Sequence, residues 1–114
     1  MLAEQVKVLW IKDEYLQQIL AGKKTIEVWV GYNNIRKLQA GQDVRLNDRY
    51  LFRLARIALY PDFATLLAHE DAVQIAPDLA PEALLVAMRS IYPPEKEALG
   101  TVALQLEPVP SGLA

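Results

Sequence analysis

Apolar and polar residues alternate with period two from Gln5 to Lys12, Val6, Val8 and Trp10 against Lys7, Leu9 and Ile11. That pattern predicts a first strand with both faces partly covered. Leu16, Ile19 and Leu20 then recur at helical spacing. Asp13 is placed to cap this helix, Glu14 opposes its dipole, and Gly22 sits where a left-handed residue ends it. Thr25 to Val30 returns to alternation. Ile26, Val28 and Val30 form the apolar, core-facing side, and Thr25, Glu27 and Trp29 share the other.

The turn residues Gly31 to Asn34 follow, with Asn33 or Asn34 as cap of a short helix reaching Leu38. Asp43 to Asn47 alternates again, with Val44 and Leu46 inward, and Asn47-Asp48-Arg49 reads as a hairpin turn into a long strand, Tyr50 to Tyr60. Arg53 and Arg56 are three apart in it, so they face opposite sides unless a bulge intervenes. Asp62 caps a helix from Phe63 to His69, which places His69 at a helix end on the surface. Pro81 opens another helix through Leu84, Leu85 and Met88 to about Ile91, stopped by Tyr92-Pro93-Pro94. Thr101 to Leu106 is a closing strand, and residues 108–114 are expected to fray.

About five strands and three or four helices in 114 residues make one α+β domain over 1–114, for which a small, partly open barrel with peripheral helices is the natural closure. The apolar fraction of 53 % is enough to fill its core. No apolar run approaches the roughly 18 residues of a membrane helix and no signal-peptide pattern opens the chain. With no cysteine, disulfides and thiolate metal sites are excluded. These features suit a reducing cytoplasm. The single histidine, His69, argues against a Ser-His-Asp triad or a multi-histidine metal site. No cofactor or metal is expected, and nothing in the sequence indicates self-association. The net charge of −2 hides an asymmetry: residues 1–56 carry ten Lys/Arg and six Asp/Glu, a net +4, and residues 57–114 carry two and eight, a net −6. Only the first half offers a polyanion an electrostatic footprint.

The most informative stretch is Gly22-Lys23-Lys24-Thr25-Ile26-Glu27-Val28-Trp29. Read as Gly-x-Lys-x-x-Glu-x-Arg, it resembles the signature of the ASCH domain family of PUA-like barrels. Gly22, Lys24 and Glu27 match, and Trp29 stands where the pattern has Arg. Trp10-Ile11-Lys12 before a helix with Tyr15 and Ile19, and Ile91-Tyr92-Pro93, Glu97 and Gly100 before the last strand, also resemble that family's order. The resemblance covers about the whole chain. It implies a PUA-like barrel with a cleft between barrel and helices where RNA or a nucleoside-like small molecule binds.

Three activities compete for that cleft. In an RNA-binding module, Lys12, Lys23, Lys24, Arg36, Lys37, Arg45 and Arg49 would contact phosphates, and Trp29 and Tyr32, with Tyr92 nearby, would stack unpaired bases. Trp29 packed under a helix is the plain alternative. One branch of the family removes acetyl from N4-acetylcytidine. There the motif lysine is catalytic, a threonine at the position of Glu27 is the nucleophile, and a later glutamate completes the site. Lys24 matches that scheme, Glu27 departs from it, Thr25 lies two residues early, and Glu70 or Asp71 are the candidates for the later acid. A Lys24–Glu27 pair would also suit metal-free ribonuclease chemistry, or serve only as a salt bridge. In the third reading the cleft holds a nucleoside without turning it over.

Overall fold

The computed structural model describes residues 6–110. Its strands are β1 (Lys7–Leu9), β2 (Ile26–Val30), β3 (Asp43–Leu46), β4 (Tyr50–Tyr60) and β5 (Thr101–Pro108). Its helices are α1 (Asp13–Leu20), α2 (Asn33–Arg36), α3 (Phe63–His69), α4 (Ala72–Ile75), α5 (Pro81–Ile91) and α6 (Pro94–Glu97). The strands form one mixed sheet in the order β1-β3-β4-β5-β2, parallel only between β1 and β3. This α+β half-barrel with peripheral helices matches the expected closure and strand count. The short helices α4 and α6 add to the expected elements.

The strand β4 is the spine. It pairs with β3 from Tyr50 to Arg53 and with β5 from Phe52 to Tyr60, and a bulge between Leu54 and Arg56 shifts the register. That bulge lies between Arg53 and Arg56, so of the two arrangements their spacing left open it is the bulged one that occurs. The β3–β4 turn is tight because Asn47 and Asp48 both take positive φ (53° and 58°), a conformation these two residue types tolerate. The Asn47 side chain holds the turn to the chain after β1, accepting from the Ile11 amide and donating to its carbonyl.

Both sheet faces are buried. Leu9, Leu16, Val44, Leu46, Leu54 and Leu104 belong to the cluster inside the half-barrel, where Trp29 also packs. Ile26, Val30, Phe63, Leu66, Leu84 and Met88 form the cluster under α3 and α5. The expectation of one core face for β2 is therefore corrected. Its apolar side packs on the helices, and Glu27 and Trp29 look into the barrel.

Other corrections concern element ends. Lys12, not Asp13, is the N-cap of α1, and Asp13 lies in its first turn, accepting from Gln17. The cap of α2 is Tyr32, without a side-chain hydrogen bond, rather than Asn33 or Asn34. β5 continues to Pro108, opposite Phe52, so the expected fraying at 108 does not occur there; residues 111–114 lie outside the described residues. Asp62 caps α3 as expected, accepting from the Thr65 amide, and Pro81 occupies the first turn of α5. No helix among the described residues is long and apolar enough to cross a membrane.

Candidate functional site

The sheet has two edges, β1 and β2, and the half-barrel is open between them. A cavity of about 200 Å³ lies there, walled by Trp10, Tyr15 and Trp29 on the barrel side and by Leu79, Ile91 and Tyr92 on the helix side. Lys24 and Glu27 also line it, and Lys12 stands among its walls.

Local backbone rules place Lys24. Gly22 takes φ +78° directly after α1, where a residue without Cβ reverses the chain cheaply. The amides of Lys23 and Lys24 then both donate to the Gln18 carbonyl. The next residue, Thr25, is fastened to α4: its amide donates to the Gln74 carbonyl and its hydroxyl to Gln74 Oε1. Between these anchors the Lys24 side chain runs inward and is only 4 % exposed. Its Nζ donates to the carbonyls of Ile26 (2.7 Å) and Ile75 (2.6 Å) and lies 3.1 Å from Glu27 Oε1. Those three partners match an ammonium's three protons. The Tyr15 ring sits 5.9 Å from the same nitrogen.

Glu27 is largely buried beside the cleft. Burial raises its carboxyl above the ordinary range, and the charge and hydrogen bond of Lys24 pull it back only in part. Among the described residues, Oε2 has no protein donor. Burial pushes the Tyr92 phenol up to about 12, helped by the negative charge of Glu27 and by Tyr32. It is therefore a neutral hydrogen-bonding group at neutral pH. Trp29 Nε1 is buried without a hydrogen-bond partner among the described residues.

Five of the residues singled out in the sequence meet at the cavity: Lys12, Lys24, Glu27, Trp29 and Tyr92. The others do not line it. Thr25 is spent on Gln74 and faces neither Lys24 nor Glu27 with its hydroxyl. Lys23 is exposed past the end of α1. Tyr32 packs against both core clusters and carries Lys96 on its ring face at 5.5 Å. Arg36 donates to the carbonyls of Gly31 and Leu99, which ties the end of β2 to the start of β5. Lys37 is exposed beyond α2, Arg45 points outward from β3, and Arg49 lies over the Tyr50 ring at a different groove. The later-acid candidate Glu70 is engaged by Arg56 in a two-pronged ion pair and by the Tyr60 hydroxyl. The other candidate, Asp71, caps α4. Among the described residues no acidic or histidine cluster could hold a metal.

Sequence reasoning missed Trp10, Tyr15, Leu79 and Ile91 as cavity walls. The fold puts Trp10 on the side of half-buried Val8, opposite the buried Leu9 and Ile11, and in the sequence Trp10, Tyr15 and Ile91 were marked only by the family resemblance. In the fold Trp10 is 67 % exposed.

No family model matches the chain, and no curated protein does. Solved structures share the fold, among them the following two. The crystal structure of hypothetical protein PH0355 superposes with a TM-score of 0.85 at 25 % identity, over 92 % of this chain and 100 % of that one. The solution structure of protein PF0455 from Pyrococcus furiosus gives 0.77 at 25 % identity, over 92 % and 98 %.

Proposed function

We propose that this chain binds a single nucleoside, or a similar flat polar heterocycle, in the cleft between β2 and α5. The observation that carries the reading is the composition of the cavity wall. Two tryptophans and two tyrosines surround about 200 Å³, with one ion pair among them. Drug-sized ligands fill roughly 300 Å³ or more, so a compact ring is the better fit. Flat aromatic faces suit a base, and a few polar groups would fix its orientation.

The cation distribution argues for a small molecule over a polynucleotide. Of the seven basic residues expected to meet phosphates, only Lys12 and Lys24 line the cavity, and the latter is bound within the protein. A backbone track would need several side by side.

The ASCH resemblance supports the same cleft and keeps hydrolysis of an N4-acetylcytidine-like amide as a second reading. Glu27 favours that alternative: a carboxyl with a raised pKa beside a cavity is suited to general acid–base work. Against it, every proton of Lys24 is engaged, and Thr25 is turned away.

Melting the protein with cytidine and with N4-acetylcytidine, and chromatography of both mixtures, tests the reading. Binding without turnover gives a melting temperature that rises with nucleoside concentration and an unchanged elution profile. Cytidine appearing from the acetylated compound, and lost in Glu27→Gln, would replace it with the hydrolase reading. No rise with any nucleoside rejects the binding site.

A further inference from the structure

The register of β2 determines which of its main-chain groups are spent. The Leu106 amide donates to the Thr25 carbonyl, and the Gly31 amide donates to the Gly100 carbonyl. Between these two bonds the antiparallel pairing is unbroken, from Ile26 opposite Gln105 to Val30 opposite Thr101. In such a ladder alternate residues turn both polar groups to the partner strand. Glu27, Trp29 and Gly31 therefore face β5, as does the carbonyl of Thr25, whose amide goes to Gln74 instead, and Ile26, Val28 and Val30 point their amides and carbonyls to the open edge.

Two of those three outward carbonyls are taken. Ile26 accepts from Lys24 Nζ, and Val30 accepts from the Tyr32 amide. Val28 alone keeps both its N–H and its C=O without a partner among the described residues, and Val28 lines the cavity. A main-chain donor and acceptor left side by side at an apolar cleft are a costly omission unless water or a ligand meets them.

We propose that the N–H and C=O of Val28 form the recognition edge of the cleft, pairing with a planar ring that carries a hydrogen-bond acceptor next to a donor. This rests on the nucleoside reading and specifies it: the hydrogen-bonding edge of the base, not the sugar or a phosphate, is what β2 reads. An added peptide strand would need a run of free groups on alternate residues. Lys24 and Tyr32 close the carbonyls on either side of Val28, and α4 covers the strand's beginning through Gln74 and Ile75. The donor–acceptor pair left open is thus one residue long, the width of a single heterocycle, with only the amides of Ile26 and Val30 on either side. Glu27 Oε2 supplies a further acceptor from the adjoining residue.

Amide hydrogen exchange followed by NMR on the intact chain tests this directly. In the free protein the amides of Glu27 and Trp29 exchange slowly and that of Val28 fast. Uridine, cytidine, adenosine and guanosine are then added at millimolar concentration, with 3-methyluridine, whose N3–H edge is blocked, as the comparison for uridine. The expected result is a slowing of Val28 exchange by on the order of tenfold or more with a nucleoside that raises the melting temperature, and a tenfold or greater weakening when N3 is methylated. Val28→Pro removes the donor without breaking a bond to β5, and should fold and bind at least tenfold more weakly. A melting temperature raised by nucleoside while Val28 exchange stays unchanged overturns the recognition edge and leaves the binding site standing. Slow exchange at Val28 in the free protein also overturns it. If no nucleoside shifts either signal, the edge and the nucleoside reading fall together.

Discussion

Lys24 is the buried cation of the cleft wall, 4 % exposed and held on every side. From the sequence it is a cation beside a carboxylate, equally suited to phosphate, to catalysis or to a surface pair. In the fold its ammonium joins three chain segments, α1's exit, β2 and α4, by two carbonyls and Glu27. Lys24→Met should lower stability by about 3–5 kcal/mol in chemical denaturation, because it leaves Glu27 buried without its cation and strands two carbonyls. A loss under about 1 kcal/mol would mean that the clip is dispensable and the lysine is held there for a ligand. The spacing of Lys24 and Glu27, three apart across a glycine-led turn, made their contact legible. The carbonyl of Ile75 was not, since it arrives from a helix 51 residues away that has only four residues and no periodic pattern. Arg36 shows the same limit. Its guanidinium is an exposed charge in the sequence and a tie between main-chain carbonyls in the fold.

At the scale of elements, glycines report how tightly the strands are joined. Gly22 has positive φ, and a Cβ there would meet nothing within 4 Å, so only backbone strain opposes a side chain. At Gly31 a Cβ would lie 2.5 Å from the Leu99 carbonyl oxygen and 2.9 Å from Arg36 Nε. Gly22→Ala should therefore cost about 1 kcal/mol, and Gly31→Ala clearly more, since the Arg36 tie and the β2–β5 junction must both shift; urea denaturation of the two variants compares them. Equal losses would show that the junction yields easily. Long alternating or helical patterns made β4, α3 and α5 legible, with their caps. The start of α1 slipped by one residue, and α2 begins at Asn33 and stops at Arg36, short of the expected Leu38, because a polar side chain near a helix start has several positions that satisfy the first amides and a four-residue helix has no periodic pattern to mark its end. The inward turn of Glu27 and Trp29 was hidden because both faces of β2 are covered, and a pattern of one apolar and one mixed face reads as half-exposed.

For the whole molecule, two buried carboxyls set opposing pH dependences. Hydrogen bonds from Arg56, and from Tyr60 behind it, hold Glu70 below its ordinary value against the cost of burial. Its contribution is full above the unfolded value of 4.5 and is lost as pH falls through the lower folded value. Glu27 runs the other way: its folded value lies above 4.5, so the folded state holds the extra proton in that window and stability falls as pH rises through it. Relative to the parent, Glu70→Gln should be less stable near neutrality and approach it on acidification, whereas Glu27→Gln should gain on the parent as pH rises from about 4. Thermal melts across that range check both signs. The half-barrel was legible as a strand count and a partly open closure, and its strand order was not, because sheet order depends on pairings between distant segments. That order has a consequence for synthesis. The last strand made, β5, sits inside the sheet between β4 and β2, and Gln105 reaches the Thr25 carbonyl from eighty positions away. As the chain leaves the ribosome, β2 has no sheet partner until the final stretch emerges, so the cleft is among the last features to exist, and a nascent chain stopped short of residue 101 would carry two unpaired strand edges exposed to its neighbours.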